Sequence, residues 1–254
     1  MKIVVLKFGG TSVGSIDKIK KVAEIIKNYK KKKYKVIVVS SAMSGVTNDL
    51  VKKSKEISEN FSKEEYDVLV SSGEQVACSL IAGRLVYKGI KSRSWLAWQV
   101  PIFTTGSHKN SRINLINKNK IIKYLKEGGV PVITGFQGIN NEHRITTIGR
   151  GGSDASAIML SKFFSAERCV IYTDVDGVYT TDPNIDQNAK KISKMSYEEM
   201  LEMASTGSKV LHTRSVELAM KNNLTLQVLS SLTKETGTFI VDEKELIEKE
   251  IVSG

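Results

Sequence analysis

The sequence predicts an α/β fold in which helices cover both faces of a mainly parallel central sheet. Short apolar runs rich in β-branched residues recur along the chain, and each is bounded by Gly, Ser, Asp or Lys, which is typical of buried strands. Segments with helical spacing of apolar residues lie between these runs. Strands that alternate with helices pair in parallel, and such a sheet buries both of its faces.

Five apolar runs are predicted to form the strands of this sheet. Each is too short for a typical helix and is flanked by turn-forming residues. In chain order they are residues 3–8, 36–40, 130–134, 169–173 and 224–229.

Helices are predicted between the strands. Apolar residues spaced along residues 16–29 form one helical face. Ile113, Ile116, Ile121 and Leu125 indicate another helix, which the glycines at 128 and 129 end. Further helices are predicted up to Tyr87, over residues 155–163, and after a capping box formed by Ser196 and Glu199.

The chain carries a formal charge of +11, from 38 basic and 27 acidic side chains. The lysines are spread along nearly the whole sequence, and the densest run, residues 30–33, is predicted to be a solvated turn. The chain has no nucleic-acid-binding signature, and only 7% of its residues are aromatic. The charge therefore indicates a lysine-rich surface that attracts anionic substrates, with no nucleic acid partner.

Cysteine usage and hydropathy predict a reducing, cytoplasmic setting. Cys78 and Cys169 lie far apart without C-x-x-C spacing, which argues against a disulfide framework or a zinc site. The three histidines are isolated from one another, so no metal-ligand cluster is predicted. The N-terminal apolar run is too short for a signal peptide, and no stretch approaches the ~20 residues that span a bilayer. No membrane partner is expected.

A glycine-rich turn, Lys7-Phe8-Gly9-Gly10-Thr11-Ser12, follows the first predicted strand. Paired glycines before a helix let backbone N–H groups approach an anion, and the helix adds the positive end of its dipole. Lys7 is placed to reach phosphates as a point charge. The turn is not a P-loop, because Ser15-Ile16 stands where Lys-Ser/Thr is required. A tight turn without a ligand explains the pattern equally well.

A second glycine-rich segment, Gly149-Arg150-Gly151-Gly152-Ser153-Asp154, opens a predicted helix. It does not match the dinucleotide-binding fingerprint, since Asp154 occupies the place of the last glycine. Arg150 offers a planar fork that suits a carboxylate. Asp154 orients a lysine, caps the helix, or does both.

A third cluster, Thr173-Asp174-Val175-Asp176-Gly177-Val178-Tyr179, ends a predicted strand and leads to Asp182-Pro183. Ligands bind at strand ends in open α/β sheets. The EF-hand pattern is absent, because Tyr179 stands where the turn glycine belongs. The cluster is interpreted as a nucleotide-contacting turn, with a plain loop as the alternative.

Three smaller motifs carry polar groups suited to a ligand. Ser71-Ser72-Gly73-Glu74 lies within a predicted helix, where Glu74 either holds a substrate ammonium group or is solvated. Residues 40–47, S-S-A-M-S-G-V-T, follow the second strand and offer hydroxyl groups. Gly207-Ser208-Lys209 precedes a helix, where the lysine can meet a phosphate.

Together and in this order, the motifs resemble the aspartokinase family. The match covers residues 1–241. The resemblance implies a single amino-acid kinase fold with two lobes, an N-terminal lobe that binds the amino acid and a C-terminal lobe that binds ATP. The matching stretches are K-F-G-G-T-S-V, S-S-A-M-S-G-V-T-N, S-S-G-E, G-F-Q-G, T-T-I-G-R-G-G-S-D, T-D-V-D-G-V-Y-T-T-D-P and G-S-K-V-L-H.

The resemblance also implies ATP-dependent phosphorylation of the side-chain carboxylate of L-aspartate to 4-phospho-L-aspartate. This is the first step of lysine, threonine, methionine and diaminopimelate biosynthesis. Mg²⁺ is expected to accompany ATP and to be held largely by phosphate oxygens, without dedicated protein ligands. The alternative is another superfamily member, which acts on glutamate, acetylglutamate, carbamate or UMP.

Residue roles are implied by the resemblance at the matching positions. Lys7 would be the catalytic cation, which Asp154 organises. Glu74 would take the α-ammonium group of the substrate and Arg150 its α-carboxylate. The substrate-binding residues would be Thr47, Glu74, Arg150, Gly151, Gly152 and Ser153. The ATP-binding residues would be Lys7, Gly9, Gly10, Thr11, Ser41, Thr173, Asp174, Tyr179, Asp182 and Lys209.

The sequence departs from the family pattern in several places. Asn184 follows Asp182-Pro183, where the family usually has a basic residue near the nucleotide. Thr213 stands where many members have proline. Residues 108–110 differ from the sequence that is usual in their loop. Residues 242–254 resemble a linker that would lead to ACT regulatory domains, so the chain is expected to be a catalytic fragment or a natural short form. The family's dimer contacts lie largely in those domains, which leaves homodimer formation open.

Overall fold

Strands and helices alternate along the chain. The computed structural model describes residues 1–183, 185–207, 210–233 and 235–246. Its helices are α1 (Ile16–Lys31), α2 (Val46–Ile57), α3 (Lys63–Tyr87), α4 (Asn119–Lys126), α5 (Gly152–Phe163), α6 (Tyr197–Ser205) and α7 (Thr213–Lys221). Its strands are β1 (Ile3–Phe8), β2 (Lys35–Ser40), β3 (Ser92–Trp95), β4 (Ile102–Thr105), β5 (Arg112–Ile116), β6 (Val130–Thr134), β7 (Gln137–Ile139), β8 (Ile145–Thr147), β9 (Cys169–Thr173), β10 (Val178–Tyr179), β11 (Lys191–Ile192), β12 (Lys194–Ser196), β13 (Leu226–Ser230) and β14 (Thr238–Val241).

The predicted parallel sheet is confirmed. Eight strands pair in the order β12-β14-β13-β9-β1-β2-β6-β3, and every neighbouring pair is parallel except β13 with β14. All six residues of β1 are buried. Its last residue, Phe8, lies opposite Ser40 of β2 and Tyr172 of β9. The carboxyl ends of three strands therefore meet at one edge, where open α/β sheets bind their ligands.

Alternate residues of β1 point into two separate cores, as the period of two in a strand requires. Val4, Leu6 and Phe8 belong to a core that α1 and α3 cover. Ile3 and Val5 belong to the other core, which α4, α5 and α7 cover. Burial on both faces explains why β1 is apolar at every position except Lys7. Among the described residues, no helix combines the length and hydropathy that a bilayer crossing demands.

The helix predicted from Ile113 to Leu125 is wrong in its first half. Ile113 and Ile116 lie in β5, and only Asn119–Lys126 is helical. β5 pairs with β4 in a second sheet, whose strand order is β5-β4-β7-β8 and whose β4–β5 register shifts at Phe103. Two apolar residues three positions apart fit a short irregular strand as well as a helix, so pairing with β4 decides between them.

The turn predicted at residues 30–33 is wrong for its first two residues, which belong to a helix. α1 continues to Lys31, and Lys30 is partly buried. Its ammonium group donates to the carbonyl of Gly128, just beyond the end of α4. Burial lowers the pKa of Lys30. This lysine therefore links two elements that cover the same sheet.

Candidate active site

A cavity of about 530 Å³ opens beside the ends of β1 and β2. Its walls come from the segments that follow these strands, from α3 and from the turn that opens α5. Gly9 and Thr11 adjoin the cavity in the chain but do not line it. The predicted site residues that line it are Lys7, Gly10, Ser41, Thr47, Glu74, Arg150, Gly151, Gly152, Ser153 and Asp154.

Lys7 and Asp154 form an ion pair in the cavity, with 2.6 Å between Nζ and Oδ1. Both side chains are largely buried, with 11% and 14% of their surface exposed. Lys7 is the next-to-last residue of β1, and Asp154 lies in the first turn of α5, where the helix dipole favours a carboxylate. Opposite charges attract more strongly when water is excluded. The pair therefore fixes a cation on the cavity wall.

The turn after β1 packs its backbone tightly against neighbouring segments. Gly9 donates its N–H to the carbonyl of Tyr172 (3.1 Å), and the carbonyl of Gly10 accepts from the N–H of Ser44 (3.2 Å). A Cβ on Gly10 would lie 3.0 Å from the carbonyl oxygen of Ala42. A side chain at Gly10 would therefore crowd the backbone of Ala42, so the close packing of this turn favours glycine.

Glu74 presents a buried carboxylate to the cavity from α3. Only 3% of the residue is exposed. Oε1 accepts a hydrogen bond from the N–H of Ala42 (3.1 Å), whereas Oε2 is buried and has no hydrogen-bond partner among the residues described. Burial raises the pKa of Glu74 to about 7. A cationic group of a ligand would supply the partner that Oε2 lacks.

Arg150 lies in a turn whose shape depends on glycine. Gly149 and Gly151 have φ angles of 83° and 70°, in the left-handed region that glycine favours. A Cβ on Gly152 would lie 2.7 Å from Cδ2 of Phe136. Arg150 is exposed and lines the cavity, and it forms no ion pair within the described part of the chain. Its guanidinium group is available to a ligand carboxylate.

Tyr66, Lys109, Phe136 and Thr147 also line the cavity, and the sequence alone assigned them no role. Lys109 lies in the loop between β4 and β5, and its Nζ lies 3.9 Å from the centre of the Tyr66 ring. This geometry is a cation–π contact. Two features of the sequence could have pointed to these residues. Residues 108–110 differ from the sequence usual in the family, and Tyr66 lies about two helical turns before Glu74. Neither signal locates a cavity without the fold.

Four of the predicted ATP-binding residues do not line the cavity, namely Thr173, Asp174, Tyr179 and Asp182. Thr173 ends β9, and its carbonyl accepts from the N–H of Ser231 (3.3 Å). The hydroxyl group of Ser231 bonds in turn to that of Ser12 (2.9 Å), in the turn after β1. Asp174 follows Thr173 and is exposed. This end of β9 is therefore tied to the glycine turn, next to the cavity.

The segment around β10 contains predicted nucleotide-contacting residues that lie away from the cavity wall. Tyr179 donates its hydroxyl group to Asp176 (2.9 Å), Asp182 is exposed, and neither Tyr179 nor Asp182 lines the cavity. Lys209 and Asn184 lie outside the described residues, so the predictions about them stay predictions. Within the described ranges, no group of three or more His, Cys, Asp or Glu residues is arranged to hold a metal ion.

Fold and cavity together define an α/β protein with a cavity lined by charged side chains at the carboxyl edge of its sheet. The chain belongs to the amino acid kinase family, whose model matches residues 2–230. A curated aspartate kinase of Pseudomonas putida is 49% identical over 255 residues, which cover all of this chain and 62% of that protein. The chain therefore spans less than two thirds of that relative.

Two solved structures share the fold. The crystal structure of aspartate kinase from Synechocystis matches with a TM-score of 0.84 and 42% identity, over 94% of this chain and 40% of that one. Aspartokinase III of E. coli, in complex with aspartate and ADP in its R-state, matches with a TM-score of 0.85 and 28% identity, over 95% of this chain and 65% of that one. The predicted amino-acid kinase fold and the predicted resemblance to aspartokinases are confirmed.

Proposed function

We propose that this chain transfers the γ-phosphoryl group of ATP to the side-chain carboxylate of L-aspartate, releasing ADP and 4-phospho-L-aspartate. One observation carries the proposal: a single cavity holds the buried carboxylate of Glu74, the guanidinium group of Arg150 and the ion pair of Lys7 with Asp154. An acidic amino acid offers one cation and two carboxylates, which complement these groups. The aspartate and ADP bound by the E. coli relative support the same assignment.

Aspartate is expected to bind with its α-ammonium group on Glu74 and its α-carboxylate on Arg150. The ammonium group would offset the cost of the unpartnered Oε2 of Glu74. The side-chain carboxylate would then face Lys7. Four further residues of the cavity wall would complete the pocket, namely Thr47, Gly151, Gly152 and Ser153.

The proposed reaction needs no general base. The attacking carboxylate of aspartate is already ionised at neutral pH. The difficulty lies in bringing two anions together and in neutralising charge on the transferring group. Lys7 supplies positive charge at that place, and Asp154 holds its ammonium group in position.

The phosphates of ATP are expected at the glycine turn, near Gly9, Gly10, Thr11 and Ser41, where the following helix α1 adds the positive end of its dipole. Mg²⁺, held largely by the phosphate oxygens, would neutralise part of their charge. The rest of the nucleotide is expected beside the end of β9. The residues proposed to contact it there are Thr173, Asp174, Tyr179, Asp182 and Lys209.

Substrate-dependent release of ADP tests the proposal. The 254-residue protein is incubated with Mg-ATP and, in separate reactions, with L-aspartate, L-glutamate, N-acetylglutamate, carbamate and UMP. ADP is expected with L-aspartate and not with the other four. Selective turnover of another substrate, or binding of ATP without turnover of aspartate, would contradict the proposal.

A cytoplasmic setting and self-association belong to the same proposal. Cys78 and Cys169 are free and buried, which favours a reducing compartment. The outer face of α3 favours a second copy of the chain as partner. Between residues 68 and 83 the only charged side chain is the buried Glu74, although the protein has 38 basic residues. Long uncharged surfaces of this kind are typical of interfaces.

A further inference from the structure

A fully buried carboxylate, Asp67, lies beside the cavity and has no part in the proposed chemistry. It has no exposed surface and lies seven residues before Glu74, on the same buried face of α3. Its oxygens accept two hydrogen bonds from Thr147, one from the hydroxyl group (2.6 Å) and one from the N–H (3.0 Å). A buried carboxylate requires several partners of this kind.

The same carboxylate holds the loop between β4 and β5. Nδ1 of His108 donates to Oδ2 over 2.7 Å, and the N–H of Lys109 lies 3.1 Å from both oxygens. Lys109 has a φ angle of 68°, which is unfavourable for a residue with a side chain. Asp67 therefore stabilises this loop in a conformation that the loop does not favour by itself.

The segment that Asp67 holds through Thr147 continues into the cavity wall. Thr147 lines the cavity and lies three residues before Arg150. The intervening carbonyl of Ile148 accepts a hydrogen bond from Arg214 of α7 (2.7 Å). The segment is thus fixed from α3 on one side and from α7 on the other, so the place of Arg150 depends on both contacts.

We propose that Asp67 is a positioning residue that sets the separation of Glu74 and Arg150, the two groups that bind the backbone of the amino acid. Glu74 is joined to Asp67 by two turns of one helix, about 10 Å along its axis. Arg150 is joined to Asp67 through the contact at Thr147. A substrate must reach both groups at once, so their separation selects α-amino acids. This inference rests on the proposed function.

Loss of the Asp67 carboxylate is expected to weaken aspartate binding more than it affects turnover or ATP binding. In Asp67→Asn an amide nitrogen, itself a donor, replaces an oxygen that accepted hydrogen bonds from N–H and O–H groups. At least one hydrogen bond is therefore lost. Glu74 and the pair of Lys7 with Asp154 keep their own contacts. KM for L-aspartate is therefore expected to rise about tenfold, the equivalent of one charge-assisted hydrogen bond, while kcat and KM for ATP stay within about threefold.

Steady-state kinetics of three variants test the inference. Asp67→Asn is compared with Thr147→Val, which removes one donor to the same carboxylate, and with Asp17→Asn, the same change at an exposed position of α1. The first two are expected to raise KM for L-aspartate selectively, and Asp17→Asn to leave it unchanged. An unchanged KM in both test variants, or equal rises for aspartate and ATP, would overturn the inference. If Asp67→Asn does not fold, Thr147→Val alone decides.

Hydrogen exchange separates this inference from the proposed function. In Asp67→Asn the amides of Lys109 and Thr147 are expected to exchange faster, while those of β1 keep their rates. This expectation holds whatever substrate the protein uses. Wild-type protein without aspartate-dependent ADP release would refute the function, whereas unchanged exchange at Lys109 and Thr147 would refute the positioning role of Asp67.

Discussion

Lys7, the next-to-last residue of β1, has its ammonium group 2.6 Å from the carboxylate of Asp154. In the proposed reaction it meets charge that develops as the phosphoryl group moves, so its loss should affect turnover more than binding. Lys7→Met is expected to lower kcat about 100-fold or more, with little change in KM for aspartate. Steady-state kinetics measure this, with the exposed Lys52→Met as control. A kcat within about threefold of wild type would contradict the assignment.

Glu74 should make aspartate binding depend on pH. Burial holds the pKa of Glu74 at about 7, so below that pH the group is mostly protonated and pairs poorly with an ammonium group. The kcat/KM for aspartate is expected to fall about tenfold per pH unit below this pKa and to level off above it. In Glu74→Gln the kcat/KM should be low and lack this dependence. If kcat/KM of Glu74→Gln fell with pH as steeply as that of the wild type, Glu74 would not be the group that binds the ammonium group of aspartate.

The same carboxyl group should make stability depend on pH in the opposite direction. The folded protein retains this proton up to a pH of about 7, whereas the unfolded chain loses it near the ordinary value of 4.5. The free energy of unfolding therefore loses a contribution as pH rises between these values. In Glu74→Gln this decrease in the free energy of unfolding should be absent. Urea unfolding of the variant and the wild type at two pH values measures the difference.

Residues with a local signal were predictable from the sequence, and residues defined by tertiary contacts were not. Lys7, Glu74 and Arg150 lie in motifs of glycine, serine and charge, and the fold brings them to one cavity. Asp67 and Lys109 lie in no such motif. Their surroundings come from segments 40 or more residues away in the chain, so no local pattern marks them.

At the scale of single elements, the start of α6 is fixed by local hydrogen bonds. Ser196 accepts from the N–H of Glu199 (3.1 Å), and the carboxylate of Glu199 accepts from the N–H of Ser196 (2.7 Å). The predicted capping box is therefore confirmed.

Ser196→Ala is expected to lower the free energy of unfolding by about 1 kcal/mol. It should leave KM for aspartate unchanged, because α6, described in full, contributes no residue to the cavity. Urea unfolding measures the loss, with the exposed Ser79→Ala in α3 as control. A loss no larger than that of the control would show that the cap does not stabilise the helix.

Elements buried on both faces were predicted well, and short half-exposed strands were missed. β1, β6 and β9 have the predicted bounds because side chains on both faces of these strands are buried in a core. β5 carries a mixed burial pattern, so its two isoleucines resembled a helical face. Only its pairing with β4, set by the rest of the fold, defines it as a strand.

At the scale of the whole molecule, the proposed self-association places a second copy on the outer face of α3, where residues 68–83 carry no exposed charged side chain. Five apolar side chains of this helix are exposed, and a second copy packed on this face would cover them. Gly83 has open space where a Cβ would stand, which allows close approach. The apolar residues concerned are Val68, Val76, Leu80, Val86 and Tyr87.

Sedimentation velocity at micromolar concentration is expected to detect a dimer of the wild-type chain. Val76→Glu would place a charge in the middle of the uncharged face and is expected to yield a monomer. Ile57→Glu introduces the same charge at an exposed site in α2 and should leave the dimer intact. A monomeric wild type, or a dimer that survives Val76→Glu, would contradict this interface.

The class of the fold followed from the sequence, whereas the order of its strands did not. Alternating strands and helices require a mainly parallel sheet, but they do not decide that β1 lies between β2 and β9. That placement brings the segments after β1 and β2 to one cavity. The boundary predicted at residue 242 stays a prediction, and most of the segment beyond it, residues 247–254, lies outside the described ranges.

The formation of an acyl phosphate on aspartate tests the central claim most directly. Hydroxylamine converts an acyl phosphate into a stable hydroxamate, which mass spectrometry identifies. Wild-type protein with Mg-ATP and L-aspartate is expected to accumulate the β-hydroxamate of aspartate, and Lys7→Met is expected to form almost none. ADP release without any hydroxamate would contradict transfer to the side-chain carboxylate.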